Sequence, residues 1–323
     1  MKRRTFCGSL AAATVPGFAF AQSRPAYPSK PIRLVMPYPA GGGGDIVLRP
    51  LVAKLGEKLG QPVVIDYKPG ASTMLGTEIV ARAEPDGYTI GFITDSHVIN
   101  PILTKNMRYD AFADFSHITQ LVSIPLVLVV HPSLGIKTTQ ELVQHAKRNP
   151  GKLAYASLGL GGPHYLYMEW FKHLAGIDML HVPYQGSAPA LTAVIGNQVQ
   201  LMFVGASTAL QHAKEGRLVA LGASPAARLP IAPQMPSIAE AGFKDFDITP
   251  FYGITAPART PPEIVSLLAS EISAAIRSPE LAERLSAAGL IVAPSSPREF
   301  TDKLHADLRL YERLIKSTGA KAE

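Results

Sequence analysis

Two glycine-rich stretches, each behind a short apolar run, hold the residues best suited to chemistry. In the first, Ile32-Arg33-Leu34-Val35-Met36 leads into Pro37-Tyr38-Pro39-Ala40-Gly41-Gly42-Gly43-Gly44-Asp45. In the second, Leu153-Ala154-Tyr155-Ala156 leads into Ser157-Leu158-Gly159-Leu160-Gly161-Gly162-Pro163-His164. Lacking a Cβ, glycine lets the main chain approach a ligand closely. The first N–H groups of a helix have no partner within it, and the positive end of the helix dipole lies there, so a strand–glycine loop–helix unit receives an anion. A carboxylate met by amides around 42–44 and again around 159–162 gains roughly 1.5–3 kcal/mol per charge-assisted hydrogen bond. Three or four such bonds, less the entropic cost of association, reach micromolar affinity, which needs about 8 kcal/mol. Ser157 can add a hydroxyl. Tyr38 and Tyr184 can wall the ligand, although plain packing would use both equally well. One such loop alone reads as readily as a tight strand-to-helix turn. The pair, about 120 residues apart, together with an export signal, favours a clamp with one anion-receiving edge on each of two lobes.

Motifs for covalent or nucleotide chemistry are missing. There is no G-x-x-x-x-G-K-[ST], the second loop lacks the third glycine of a dinucleotide fingerprint, and Gly205-Ala206-Ser207-Thr208-Ala209 fails as a G-x-S-x-G elbow. The nine histidines form no H-x-x-x-H or His-carboxylate cluster with metal spacing. Most read as structural. His164 is the exception, because it opens a helix behind a glycine loop, but no acid or base partner for it is visible. No metal or cofactor is implied. Binding suits the residues better than catalysis, and an exported enzyme using His164 is the alternative.

Short β-type runs alternate with helical patterns and must position these loops. Strands are expected over 32–36, 63–66, 88–93, 117–122, 126–130, 153–156, 181–183, 199–204, 218–223 and 249–255. Helices are expected over 51–59, 74–83, 139–148, 164–174, 189–195, 208–214 and 263–276. The alternation predicts an α/β chain with mostly parallel sheets covered on both faces. Thr138 and Glu141 are spaced as a capping box, and Ser296-Pro297-Arg298-Glu299 opens a last helix with apolar Phe300, Leu304, Leu308, Tyr311 and Ile315. Pro50 falls early in the helix after Asp45, so that helix is expected to kink there or start late. No long linker separates the halves. The chain is therefore expected to cross between lobes on strands, near 121–126 and 246–251, with the C-terminal helices packing back on the first lobe.

The N-terminus carries an export signal. Lys2, Arg3 and Arg4 precede an apolar run over 10–20, and Ala19-Phe20-Ala21 is a cleavage site that starts the mature chain at Gln22. Arg3-Arg4-Thr5-Phe6 leaves twin-arginine and ordinary export both open. The single cysteine, Cys7, lies inside this segment, so the mature chain would hold no disulfide and no thiol chemistry. Without the three basic residues the formal charge falls from +6 to about +3. That is too mild to argue for nucleic acid or an anionic membrane as partner. About 300 mature residues fit two domains better than one.

From Tyr27 to the C-terminus the chain resembles the periplasmic solute-binding receptors of the tripartite tricarboxylate transporter family, the Bug or TctC-like proteins. The resemblance rests on ordered pieces: Tyr27-Pro28-Ser29-Lys30-Pro31-Ile32, the 37–45 loop, Lys68-Pro69-Gly70-Ala71, Pro85-Asp86-Gly87-Tyr88-Thr89 and Asn100-Pro101. It continues through Pro150-Gly151-Lys152-Leu153, His181-Val182-Pro183-Tyr184-Gln185-Gly186-Ser187-Ala188-Pro189-Ala190, Pro236-Ser237-Ile238-Ala239-Glu240-Ala241-Gly242 and Gly253-Ile254-Thr255-Ala256-Pro257. It implies a type II periplasmic-binding fold: two Rossmann-like lobes, 22–122 with 250–323 and 123–249, joined by two crossover strands and closing over a small carboxylate. By that pattern ligand contacts fall at Tyr38, Ala40, Gly42, Gly43, Thr94, Ser157, Gly161, His164, Tyr184, Val204 and Gly205. Relatives often carry Asp-Asn where this chain has Val204-Gly205, and that aspartate suits an amine. Its loss, with Leu158 and Leu160 at usually polar positions, leans towards an aromatic or medium-chain carboxylate over amino acids or citrate-like polyacids. The implied partners are the membrane subunits of a tripartite transporter, with a sensor kinase as the alternative, and the receptor is expected to be a monomer.

Overall fold

The computed structural model describes residues 27–159 and 162–319. The expected signal segment, Cys7 and Gly161 lie outside the described residues. In chain order the elements are β1 (Ile32–Met36), α1 (Gly43–Leu59), β2 (Val63–Tyr67), α2 (Met74–Ala81), β3 (Thr89–Thr94), α3 (Ser96–Leu103), β4 (Phe115–Ser123) and β5 (Leu126–Val130). They continue with α4 (Thr139–Arg148), β6 (Ala154–Ser157), α5 (Pro163–Ala175), β7 (Leu180–Pro183), α6 (Ser187–Ile195), β8 (Leu201–Gly205), α7 (Ala206–Lys214) and β9 (Val219–Ala223). Last come β10 (Phe251–Pro257), α8 (Pro262–Ile276), α9 (Pro279–Ala287), β11 (Ile291–Val292) and α10 (Pro297–Thr318). The short helices α3 and α9 and the two-residue β11 add to the expected set.

The strands form two sheets, ordered β11-β4-β10-β3-β1-β2 and β7-β6-β8-β5-β9. Each is mixed, which qualifies the expectation of mostly parallel pairing. β10 runs antiparallel to β3 and β4, and β5 runs antiparallel to β8 and β9. The reason is topological. β5 and β10 are the strands that enter a sheet directly from the other one, so each runs against neighbours reached through helical crossovers. The outgoing segment after β4 and the returning segment before β10 lie side by side: the Ile124 N–H donates to the Pro250 carbonyl at 2.7 Å, and Ser123 pairs with Phe251. Beyond them, Ser224 donates its N–H to the Leu126 carbonyl at 2.8 Å and its hydroxyl accepts the Leu126 N–H at 3.1 Å.

Apolar burial explains the layers. All five residues of β5 are buried, as a strand covered on both faces requires. One continuous core joins β5, β6 and β8 to Val98 and Ile99 of α3 and to Phe300, Leu304, Tyr311 and Leu314 of α10. α10 thus packs against both α3 and α5 as well as the first sheet. Its start is fixed by a full capping box between Ser296 and Glu299. At α4 only half the box forms: the Thr138 hydroxyl accepts the Glu141 N–H at 3.1 Å, while the Glu141 carboxylate turns to the Lys137 N–H at 2.7 Å.

The helix after Asp45 does not start late; α1 runs without interruption from Gly43 through Pro50 to Leu59. Proline there removes the hydrogen bond to the Ile46 carbonyl, but Ile46 is 44% exposed, so water can satisfy that group. Buried Val47, Leu48, Leu51 and Leu55 hold the helix on the sheet on both sides of the proline. No helix among the described residues is long and apolar enough to cross a membrane.

The crossing strand β10 has one position with no room. A Cβ on Gly253 would lie 2.2 Å from Cζ of the fully buried Phe300. Gly253→Ala is therefore expected to cost about 1–3 kcal/mol through overpacking, read as a lower urea midpoint. An unchanged midpoint would mean that α10 is not seated on β10 in this way.

Candidate functional site

The expected ligand residues collect at the carboxyl ends of parallel strands. Tyr38 and the 39–44 loop follow β1, Thr94 ends β3, Ser157 ends β6, Tyr184 follows β7, and Val204-Gly205 ends β8. This edge is where open α/β sheets leave room for ligands. Four of the helices that start there, α1, α5, α6 and α7, have glycine at the N-cap: Gly42, Gly162, Gly186 and Gly205, none with a side-chain cap bond. Their first amides need acceptors from elsewhere.

In the first loop, Ala40, Gly41, Gly42 and Gly43 are exposed, while Gly44 is buried against Met36 and Phe92. Gly41 has φ +85°, a left-handed conformation that favours glycine. Asp45 holds the loop's shape. Its carboxylate accepts the Gly41 N–H at 2.6 Å, the Tyr67 hydroxyl at 2.9 Å and Arg49 at 3.2 Å. Burial alone would raise the Asp45 pKa, but these donors outweigh it and hold the carboxyl below its ordinary range. Gly43 and Gly44 take the first two positions of α1, so their N–H groups have no intrahelical acceptor.

Around this helix start sits a hydroxyl cluster. Tyr38 Oη lies 2.9 Å from Thr94 Oγ1, which also accepts the Ser96 N–H at 3.2 Å. Tyr252 was not foreseen. It faces Thr94 across the β10–β3 pairing, packs on Phe92 at 4.9 Å, and its hydroxyl would be 2.9 Å from a Cβ on Gly43. Burial raises the pKa of both Tyr38 and Tyr252, so each stays a neutral donor.

The second loop differs from expectation in one respect. The Ser157 side chain is fully buried and committed internally: Oγ lies 2.6 Å from His181 Nε2, 3.0 Å from the Gly159 carbonyl and 3.2 Å from the Gly159 N–H. Its role is to shape the loop. Tyr184 is half-buried beside it, its N–H donating to the Ser157 carbonyl at 3.0 Å. His164 is half-buried in the first turn of α5, and burial lowers its pKa to about 4, so the ring is neutral at pH 7. At β8 the Val204 side chain is buried in the core, leaving only main chain for a ligand. There the Ala206 N–H already donates to the Pro125 carbonyl at 3.1 Å and the Ser207 hydroxyl to the Ala288 carbonyl at 3.1 Å. The first amide of α7 is therefore already satisfied.

One buried contact joins the neighbourhoods of the two loops. Asp95, next to Thr94, accepts a hydrogen bond from Tyr167, one turn beyond His164 on α5. No three His, Cys, Asp or Glu side chains among the described residues are placed to hold a metal ion. A solvent-open hollow of about 530 Å³ lies elsewhere, between β4, α8 and α10, near His117 and His305. It includes none of the glycine-loop residues.

Comparison with known proteins gives a consistent picture. The family model described as "Tripartite tricarboxylate transporter family receptor" matches residues 47–319. A protein encoded between tcbD and tcbE in Pseudomonas sp. strain P51 is 33% identical over 314 residues, covering 97% of this chain and 94% of the relative. Among solved structures, the periplasmic binding protein BugD superposes with a TM-score of 0.78 at 30% identity, covering 92% of this chain and 100% of BugD. An R. palustris protein solved with adipate has a TM-score of 0.81 at 29% identity, covering 91% and 99%.

Asp45 offers a direct check on the first loop. Its depressed pKa means that it stabilises the fold above the ordinary carboxyl range and loses that contribution as pH falls through its folded value. Asp45→Asn should cost about 1–3 kcal/mol in urea unfolding at pH 7, and the gap to wild type should be smaller at pH 3. An equal gap at both values would refute the ionic clasp.

Proposed function

The chain belongs to the tripartite tricarboxylate transporter receptor family of periplasmic solute-binding proteins, and from that premise we propose that it captures a small organic carboxylate between the starts of α1 and α5. The observation that carries this reading is a glycine-started helix at the carboxyl end of a parallel strand on each sheet, α1 after β1 and α5 after β6, with Asp95 beside Thr94 in contact with Tyr167 of α5. The carboxylate takes the amides of Gly43 and Gly44 on one side and those at the start of α5 on the other. Tyr38, Tyr252 and Thr94 supply neutral hydroxyls, and neutral His164 supplies one donor or acceptor. The lobes 22–122 with 250–323 and 123–249 close over the guest by bending the paired segments at Ile124 and Pro250. The filled receptor hands its guest to the membrane subunits of the transporter and carries out no chemistry on it. The signal would be cleaved after Ala21, and the receptor works as a monomer.

The guest is an aromatic or medium-chain carboxylate. In support, Val204-Gly205 offers no carboxylate for an amine, and Leu158 and Tyr184 both pack on the same apolar cluster beside the second loop. The adipate in one structural neighbour is a medium-chain dicarboxylate of this class.

A thermal-shift screen with adipate, benzoate, citrate and glutamate tests the reading. A bound acid at one hundred times its dissociation constant should add about 2.7 kcal/mol to stability, with adipate or benzoate ahead of glutamate and citrate. Gly42→Val should abolish the shift while leaving the fold intact, because a Cβ there meets only the Pro39 carbonyl, at 3.6 Å. A variant that responds like wild type, or a protein that responds to no organic acid, would overturn the proposal.

A further inference from the structure

Asp95 sits at the junction of three elements and is 5% exposed. It is carried by the turn between β3 and α3, on the first sheet. Its carboxylate accepts the hydroxyl of Tyr167, on α5 of the second sheet, and Oδ2 lies 3.4 Å from the hydroxyl of Tyr311 on α10. The two phenols are 3.3 Å apart, and both side chains are buried. Any rotation of one sheet against the other must move Tyr167 relative to Asp95. The trio is therefore a cross-tie between the halves, directly behind Thr94 and one helical turn behind His164.

We propose that Asp95, Tyr167 and Tyr311 form a proton-operated strap that tightens the two lobes together when Asp95 takes up a proton. A protonated carboxyl can donate to one phenol while accepting from the other, so the trio stays fully hydrogen-bonded without a buried charge. A charged Asp95 in the same place keeps two acceptors but bears the cost of desolvation.

The surroundings fit this assignment. From α10, Asp307 adds negative charge and is itself paired with Lys303 at 2.5 Å. From α5, the His164 ring is 6.0 Å from that of Tyr167 and stays neutral above pH 5. From β10 and the first loop, Tyr252 and Tyr38 feel the Asp95 charge but remain protonated. Burial, opposed by the Tyr167 bond and helped by Asp307, raises the Asp95 pKa to about 6. An acid whose folded pKa lies above its unfolded value contributes stability below that value and loses it as pH rises through the folded one. On this proposal, opening the lobes hydrates Asp95, so strapping is favoured at pH 5 and released towards pH 7.5. The inference rests on the two-lobed closure described above but on no choice of guest.

The test uses the ligand-free chain as wild type, Asp95→Asn and Tyr167→Phe, at pH 5.0 and 7.5. In thermal melts, wild type should gain on Asp95→Asn by about tenfold in the folding equilibrium on going to pH 5.0, on the order of 2–4 °C in Tm. In solution X-ray scattering, wild type should have the smaller radius of gyration at pH 5.0. Asp95→Asn should show no change with pH. Tyr167→Phe, which keeps the acid but removes its donor on α5, should lose the contraction while Asp95 still titrates. A wild-type radius that ignores pH, or a contraction that survives unchanged in either variant, overturns the strap. Neither readout involves a carboxylate, so failure of capture and failure of the strap are told apart.

Discussion

Main-chain N–H groups at the start of a helix must find an acceptor, and at the starts of α1 and α5 no N-cap side chain supplies one. Gly42 and Gly162 cap α1 and α5 without a side-chain oxygen, whereas Thr138 and Ser296 cap α4 and α10 with theirs. Leaving such donors bare within a closed cleft would cost about 1–3 kcal/mol each. An anion removes that cost and is favoured again by the helix dipole. The rest of the structure reads as support for this arrangement. Asp45 folds the first loop back through Gly41, Ser157 and His181 shape the second, and both tasks use polar side chains that would otherwise compete for the cleft.

The same economy appears in how the halves are joined. Two segments cross side by side, and they pair at Ile124 and Pro250 in a narrow connection. α10 counters it. Its apolar face shares one core with α3, α5 and the second sheet, so it sets the limits within which the two sheets can turn. The polar part of that contact is the trio around Asp95. Placing a titratable group in a buried polar contact between the halves would couple position to protonation, because the two states of the acid differ in their cost of burial.

Much of this was legible in the sequence, for local reasons. The strand–glycine–helix units show through period and composition, and the starts of α4 and α10 through Thr138 and Ser296. What escaped depends on partners far apart in the chain. Tyr252 meets Thr94 only through the register of an antiparallel pair formed after the chain has visited the other sheet. Asp95, Tyr167 and Tyr311 come from three separate helical units and carry no common spacing. Ser157 looked like a free hydroxyl because nothing local marks His181, 24 residues on, as its partner. At Pro50 the opposite holds: a local rule against proline was overridden by the burial of Val47, Leu48, Leu51 and Leu55. The membership of the family, resting on many short ordered motifs, was the most legible feature of all.

The most direct measurement is a titration of the 15N-labelled protein with adipate, following each backbone amide by NMR. The account predicts that the largest shifts fall on Gly43 and Gly44 of α1 and on the first amides of α5, saturating together at a single dissociation constant. Shifts that leave these amides untouched and gather instead around His117 and His305 would contradict it.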